Sequence, residues 1–397
     1  MKSSSPIIIL LCSVTYFASA EGPSVNLLTG EGCSLGEVLF PAIRFQSAFG
    51  TSDKDPAELV SGHHDPDRKG FTVQDVEFAL SAKLGELVSL VGIYAAKVDT
   101  DDHWRGAFEE YFATVSQLPF GVTLKGGRFL THFGFQNQTH PHDFVMVDQH
   151  IANGRLLGDD GIVVVGGELS LPILRTLPSG WDDHFAFSVG EVPPSGEEEH
   201  HDDEGDGHVE PTFESEGALF TDLVATAHYG LTFAATSATT HSAGVSGAWG
   251  GNGYGRDTQI YGASYDYRWR KSEKKGASIS WRTEAFVRKF GAVGHDAAGG
   301  DSRRDITDFA AYSLLTYGFA GGKWQAHLRG EYASGTAEAG LPERWRVSPA
   351  VAWAPSDDLP VNWKLQYNYD RSPSFGEAHS VWLQVNVHWG AGCAHVH

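Results

Sequence analysis

Val361, Trp363, Leu365, Tyr367 and Tyr369 take one side of a two-residue alternation, and Asn362, Lys364, Gln366, Asn368 and Asp370 take the other. That period belongs to a β-strand whose two faces meet different surroundings. The same division sets Tyr261, Ala263, Tyr265, Tyr267 and Trp269 against Ser264, Asp266, Arg268 and Arg270. It also sets Trp324, Ala326, Leu328 and Tyr332 against Lys323, Gln325, His327, Arg329 and Glu331, and it recurs over 281–287, 345–353 and 381–389. Weaker alternation marks 76–84, 87–95, 121–127 and 184–192. Clusters of Gly, Asp, Ser and Pro separate the runs, as turns should. At roughly two dozen residues per strand and loop, the chain accommodates about 16 strands, an even number being expected of a bacterial barrel.

Alternation fits a soluble sandwich with its apolar faces inside, or a membrane barrel with them outside. Two features favour the barrel. The non-apolar faces carry both charge signs, as a wet lumen would: Arg268, Arg282, Glu284, Arg329, Glu331 and Lys364 are the lumen candidates. On the apolar faces, Tyr261 and Trp269, Trp324 and Tyr332, and Trp345 and Trp353 are each eight residues apart. Eight residues on a tilted strand climb about 20 Å, close to the ~25 Å apolar band between the aromatic girdles of an outer-membrane barrel. The expected fold is therefore an all-β transmembrane antiparallel barrel with a polar lumen.

The N-terminus agrees with export. Lys2, the apolar run IIILLCSVTYF and the small residues Ala18 to Ala20 read as a signal peptide over 1–20. Residues 21–75 are then expected as an N-terminal periplasmic segment with a candidate first strand, 76–389 as the barrel and 390–397 as a short tail. No later stretch has the roughly 18 uninterrupted apolar residues of a spanning helix. A net charge of −21 argues against a nucleic-acid partner, which needs clustered cations. The expected partners are outer-membrane lipid and small solutes or metal cations, with the barrel standing alone or as a homotrimer. Beyond the signal, Cys33 and Cys393 remain; a bridge between them is one reading and two unrelated small residues the other.

The segment from Gly126 to Gly161, GGRFLTHFGFQNQTHPHDFVMVDQHIANGRLLGDDG, departs from alternation. Its His-Pro-His core, the following DFVMVD and the closing GDDG resemble the zinc-regulated TonB-dependent outer-membrane receptors. GFTVQDVEFALSAKL and FEEYFATVSQLPFGVTLKGGRF upstream, and HWGAGCAHVH at the tail, extend that resemblance. It implies a bacterial outer-membrane location and a barrel. Residues 21–75 are too few for the plug domain that TonB coupling requires, so passive, porin-like traffic is expected instead.

Candidate metal ligands fall in two places. His132, His140, His142, Asp143, Asp148 and His150 can converge if their segment folds into the lumen; otherwise they form hydrogen bonds that pin a turn to the wall. The second place is GEEEHHDDEGDGHVE, with His200, His201, Asp202, Asp203 and His208. Barrels keep periplasmic turns short and outside loops long, so this run is expected on the cell exterior. There it gathers cations or only solvates the surface. HHDPD at 63–67 is a further patch, ordinary for a loop.

Catalytic signals are absent. GASIS and GVSGAWGG lack an acid–histidine partner and the strand–elbow–helix setting, and GGNGYG has no following helix to cradle phosphate. The expected function is a porin-like channel for small solutes, with divalent cations such as zinc as favoured cargo and no cofactor beyond a weakly held zinc. The alternatives are an exported soluble zinc-binding or zinc-dependent protein and a plugged structural barrel.

Overall fold

A computed structural model describes residues 38–390 apart from 175, 194–215, 272–275, 296–300, 337–339 and 356–359. The signal peptide, Cys33, Cys393, the tail beyond Gly390 and the acidic run with His200, His201, Asp202, Asp203 and His208 lie outside the described residues.

Each alternating run forms a strand because one face can be given to hydrocarbon only if the backbone is satisfied by neighbouring strands, and closure removes the unpaired edges. In chain order the strands are β1 (Leu39–Ser52), β2 (Gly70–Leu84), β3 (Val88–Val98), β4 (Trp104–Leu118), β5 (Val122–Leu130), β6 (Val163–Leu171), β7 (Trp181–Glu191) and β8 (Phe220–Thr236). They continue as β9 (Thr239–Asn252), β10 (Asp257–Arg270), β11 (Ser278–His295), β12 (Asp301–Phe319), β13 (Trp324–Ala333), β14 (Arg344–Trp353), β15 (Val361–Ser372) and β16 (Gly376–Gly390). Every strand pairs with its sequence neighbours, and β1 closes the barrel on β16. At that seam Ile43 lies opposite Phe78 of β2 and Trp389 of β16, all three exposed on the outer wall.

The outer wall carries the apolar positions. Leu328, Leu365 and Val351 are exposed there, and cross-strand neighbours build an aromatic ring at the end where β1 begins and β16 finishes. Phe319 pairs with Trp324, Trp324 with Trp353, and Trp353 with Trp363. At the opposite end Tyr332 and Trp345 meet edge to face with centroids 5.7 Å apart. The two girdles are thus at opposite ends of β13 and β14, as the eight-residue spacing predicts.

The candidate first strand within 21–75 is β1, Leu39–Ser52, so the barrel begins there and the boundary drawn at Val76 moves. β1 is hard to read because its inner face is partly apolar too: Ala48 packs with Val147 and Trp382 inside the barrel. The interior also differs from an evenly polar lumen. Phe133, Met146, Ile151 and Leu156 from the segment between β5 and β6 share one core with Phe286, Ala310, Tyr312 and Leu314 of β11 and β12. Strands facing that segment point apolar side chains inward because a packed surface, rather than water, lies opposite.

Candidate functional site

Residues 131–162, joining β5 to β6, fold back into the barrel together with residues 53–69, which join β1 to β2. The larger insert contains one short helix, α1 (Ile151–Leu157). Backbone leaving a strand ladder and entering a barrel must find other hydrogen-bond partners. The inner wall supplies them.

Glu284 of β11 accepts from the amides of Phe135 at 2.6 Å and Gln136 at 3.1 Å, and Tyr312 donates to the same carboxylate. Gly134 sits under this contact with φ +64°, and a Cβ there would come within 2.1 Å of Glu284 Oε1. The left-handed backbone costs a larger residue about 1–2 kcal/mol before the clash is counted. Gly134→Ala is therefore expected to lower the melting temperature of the detergent-solubilised protein and weaken the docking of the insert; unchanged melting would refute the contact.

Further along, Lys364 of β15 donates to the carbonyl of Phe144 and, at 3.3 Å, to that of Met146. Gln366 accepts from the amide of Val147 at 2.7 Å. Asp148 is the centre of the attachment: Arg329 and Arg346 contact its two oxygens, Gln366 donates at 2.7 Å and Asn368 at 2.8 Å. Burial opposes charge on Asp148, but the two guanidiniums outweigh it and hold the carboxyl below the usual carboxylate range. Glu331 accepts from the amide of Ile151 at 2.9 Å, opposite the start of α1.

His150 stacks on Tyr312, with centroids 3.6 Å apart, and points Nδ1 at Glu331 from 3.3 Å. Burial, with nearby Arg329 acting in the same direction, pulls its pKa down to about 4 despite Glu331 and Asp148. The sign follows directly: between pH 6.5 and 4 the unfolded imidazole binds a proton that the docked one refuses. Docking stability falls as pH drops through this window. Acidification is expected to loosen the insert, and His150→Gln to reduce that acid dependence of melting; an unaltered pH profile would rule this out.

Of the sequence candidates for metal ligation in this segment, only His140, His142 and Asp143 converge. Asp148 is taken by arginines, His150 by Tyr312 and Glu331, and His132 by Glu168 at 2.8 Å. These members of the expected metal set are instead the pins of the insert, because each meets a charged or aromatic wall residue. His140 and His142 do come together, their rings stacked with centroids 5.6 Å apart, and Asp143 lies 3.2 Å from Nε2 of His142. Against them stand carboxylates absent from the sequence-derived set. His140 Nε2 is 2.8 Å from Glu110 and its Nδ1 3.1 Å from Glu109, while His142 Nδ1 is 2.9 Å from Glu77.

Two β-bulges create this arrangement. The β3–β4 register shifts between Ile93 and Tyr94, so Glu109 and Glu110, which would face opposite ways in a regular strand, both reach His140. The β1–β2 register shifts between Gln46 and Ser47, and both Gln74 and Asp75 are buried. The adjacent acids in FEEYF and the adjacent polar residues in VQDVE were the available sequence signal. Burial works against charge on His142, but Asp143 and Glu77 outweigh it and raise its pKa to about 9. His64, from the shorter insert, touches Glu109 at 3.0 Å and is raised to about 10 by that contact against the effect of burial.

The described chain resembles solved barrels in its path as a whole. It superposes on an anion-selective porin from Comamonas acidovorans with TM-score 0.52 and 11% identity, covering 88% of this chain and 98% of that one. The outer-membrane channel DcaP of Acinetobacter baumannii gives 0.51 and 11%, covering 88% and 96%. Salmonella typhi OmpF in complex with daunomycin gives 0.50 and 10%, covering 88% and 97%. The fold is that of an outer-membrane porin. No family model matches the chain, and no curated protein is similar to it in sequence.

A porin fold with an apolar outer band belongs in the bacterial outer membrane, and the remaining lumen candidates can be placed within it. Arg268 and Arg282 converge on Asp266, each 2.9 Å from it, and both are half-buried. Arg282 also lies over the ring of Phe135, 5.2 Å from its centroid. Glu284, Arg329, Glu331 and Lys364 face inward but are bonded to the insert.

Proposed function

We propose that this protein is a porin-like channel that passes small solutes across the outer membrane, with divalent cations, zinc foremost, as favoured cargo. The observation that carries the reading is a closed barrel whose interior is narrowed by an insert held through side chains rather than filled by a separate plug domain among the described residues. No reaction step is needed. The net charge of −21 and the acidic run over 197–210 favour cations, which an exterior loop would concentrate near the mouth. The long connections 131–162 and 192–219 join strands at the end opposite Leu39 and Gly390, which fits that end facing outward. TonB coupling is not part of the proposal, and the resemblance to the zinc-regulated receptors is carried only as far as location and cargo.

A second reading, a plugged structural barrel, is favoured by the apolar core that the insert shares with β11 and β12. Planar-bilayer recordings decide between them. The channel reading expects discrete conductance steps with a preference for cations and a response to zinc. Insertion without conductance selects the plugged barrel, and a protein that stays dispersed without detergent eliminates both.

A further inference from the structure

We propose that Glu77, His140 and His142 form a divalent transition-metal site on the inner wall of the barrel, where a bound ion clamps the insert to β2. This deepens the cation-channel reading and rests on it only for the identity of the ion. The donor atoms of the three residues all lie within 4.8 Å of one another. Nδ1 of His142 is 2.9 Å from Oε2 of Glu77, and Nδ1 of His140 is 4.0 Å from the same oxygen. Imidazole nitrogens and carboxylate oxygens about 2.0–2.2 Å from zinc stand roughly 3.3 Å apart in a tetrahedron. The separations present bracket that value, so small side-chain rotations suffice.

The second observation is what lies behind the imidazoles. A metal-bound histidine commonly donates its other ring N–H to a carboxylate, which fixes the tautomer and strengthens the donor nitrogen. Both histidines have that partner. Nε2 of His140 faces Glu110 at 2.8 Å, and Nε2 of His142 faces Asp143 at 3.2 Å. With those nitrogens carrying the protons, Nδ1 of His142 is aimed at Glu77, while Nδ1 of His140 lies between Glu109 at 3.1 Å and Glu77 at 4.0 Å and would exchange Glu109 for the ion. Pro141 between the histidines sets the turn, a single 3-10 turn over Pro141–Asp143, that brings the rings to one side. The side chains of Glu77 and His140 are essentially inaccessible, and that of His142 is 7% exposed. A cleft lined by His64, Glu109, Glu110, His140 and Asp160 adjoins the site and gives an ion an approach.

Binding here would join β2 to the insert through bonds stronger than the hydrogen bonds used elsewhere along it. A fourth position would be filled by water. Because two nitrogens and one oxygen supply the set, zinc, cobalt or nickel is favoured over calcium or magnesium.

The test uses the full chain in detergent, stripped with chelator and titrated with Co²⁺, in a background where His200, His201 and His208 are changed to Asn to silence the acidic run. The expected result is one equivalent of Co²⁺ with the strong visible bands of a tetrahedral site, displaced by Zn²⁺. Glu77→Gln and His142→Gln are expected to weaken binding by at least about tenfold while the unheated protein keeps its folded gel mobility. Asp143→Asn, at the edge of the cluster, should weaken it in the same direction and serves if either of the others fails to fold. No Co²⁺ uptake by the background protein, or equal affinity in the variants, overturns the site. Conductance recorded on the same samples separates the two claims: currents without Co²⁺ binding defeat the site alone, and binding without currents defeats the channel reading alone.

Discussion

Asp148→Ala is expected to release the middle of the lumen insert and raise single-channel conductance, while the barrel itself still assembles. Asp148 receives Arg329, Arg346, Gln366 and Asn368 from three successive strands, so its loss removes the shared acceptor of β13, β14 and β15. Removing one partner of a buried ion pair typically costs about 3–5 kcal/mol, since the other charge is left behind. Here Arg329 keeps Glu331 at 2.9 Å and Arg346 keeps Asp370 at 2.9 Å, which places the loss at the lower end of that range. The strand ladders do not pass through Asp148, and their closure is untouched. Asp148→Asn should fall between wild type and Asp148→Ala, retaining size and some hydrogen bonds but no charge. Bilayer recordings alongside thermal melting in detergent check this; equal conductance and equal melting in all three proteins would remove the insert from any gating role.

Leu365→Arg is expected to abolish the folded, heat-modifiable form. Leu365 is 53% exposed on the outer wall of β15 and lies opposite Val351 and Leu383, both apolar and also exposed. A guanidinium at the middle of the bilayer costs a barrel about 2–4 kcal/mol, and this position offers no acidic neighbour on its own face. The matched control is Ser242→Arg on the inner wall of β9, opposite Asp266, where the new cation joins the polar cluster of Asp266, Arg268 and Arg282 instead of facing hydrocarbon. That variant should fold and shift ion preference. If Leu365→Arg folds normally and Ser242→Arg does not, inside and outside have been assigned the wrong way round.

The barrel was legible where its two solvents were cleanly different. In β15 the outer residues are apolar and the inner ones charged or amide-bearing, so Val361 to Asp370 displays the period without interruption, and β13 and β14 follow it through Arg329, Glu331, Arg344 and Arg346. It faded where the interior is protein. Tyr312 and Leu314 on β12 face inward yet are apolar because the insert's Ile151 and Leu156 belong to the same core. A pattern argument assumes one kind of interior and cannot see that a distant loop will supply another.

The site was partly legible for a related reason. His140 and His142 were visible as metal-type residues, and the break in alternation marked their segment as unusual. Their carboxylate partners were not visible, because Glu77, Glu109 and Glu110 belong to strands and only pairing register and bulges aim them at the histidines. Asp148 and His150 illustrate the opposite error. They share a ligand's chemistry, but arginines and a tyrosine reach them first.

The insert also bears on how freely this barrel could exchange parts with others. Val147 is gripped across the seam: Gln74 of β2 and Gln384 of β16 donate to its carbonyl at 3.1 and 3.3 Å, and Gln366 of β15 takes its amide. An insert between β5 and β6 is thereby stitched to staves on both sides of the closing seam. Grafting residues 131–162 into another barrel would carry the cargo without its moorings, so any successful transplant must bring those three glutamines with it. Inheritance of such a loop is coupled to positions hundreds of residues away, and homologous recombination between barrels would break that coupling at nearly every crossover point.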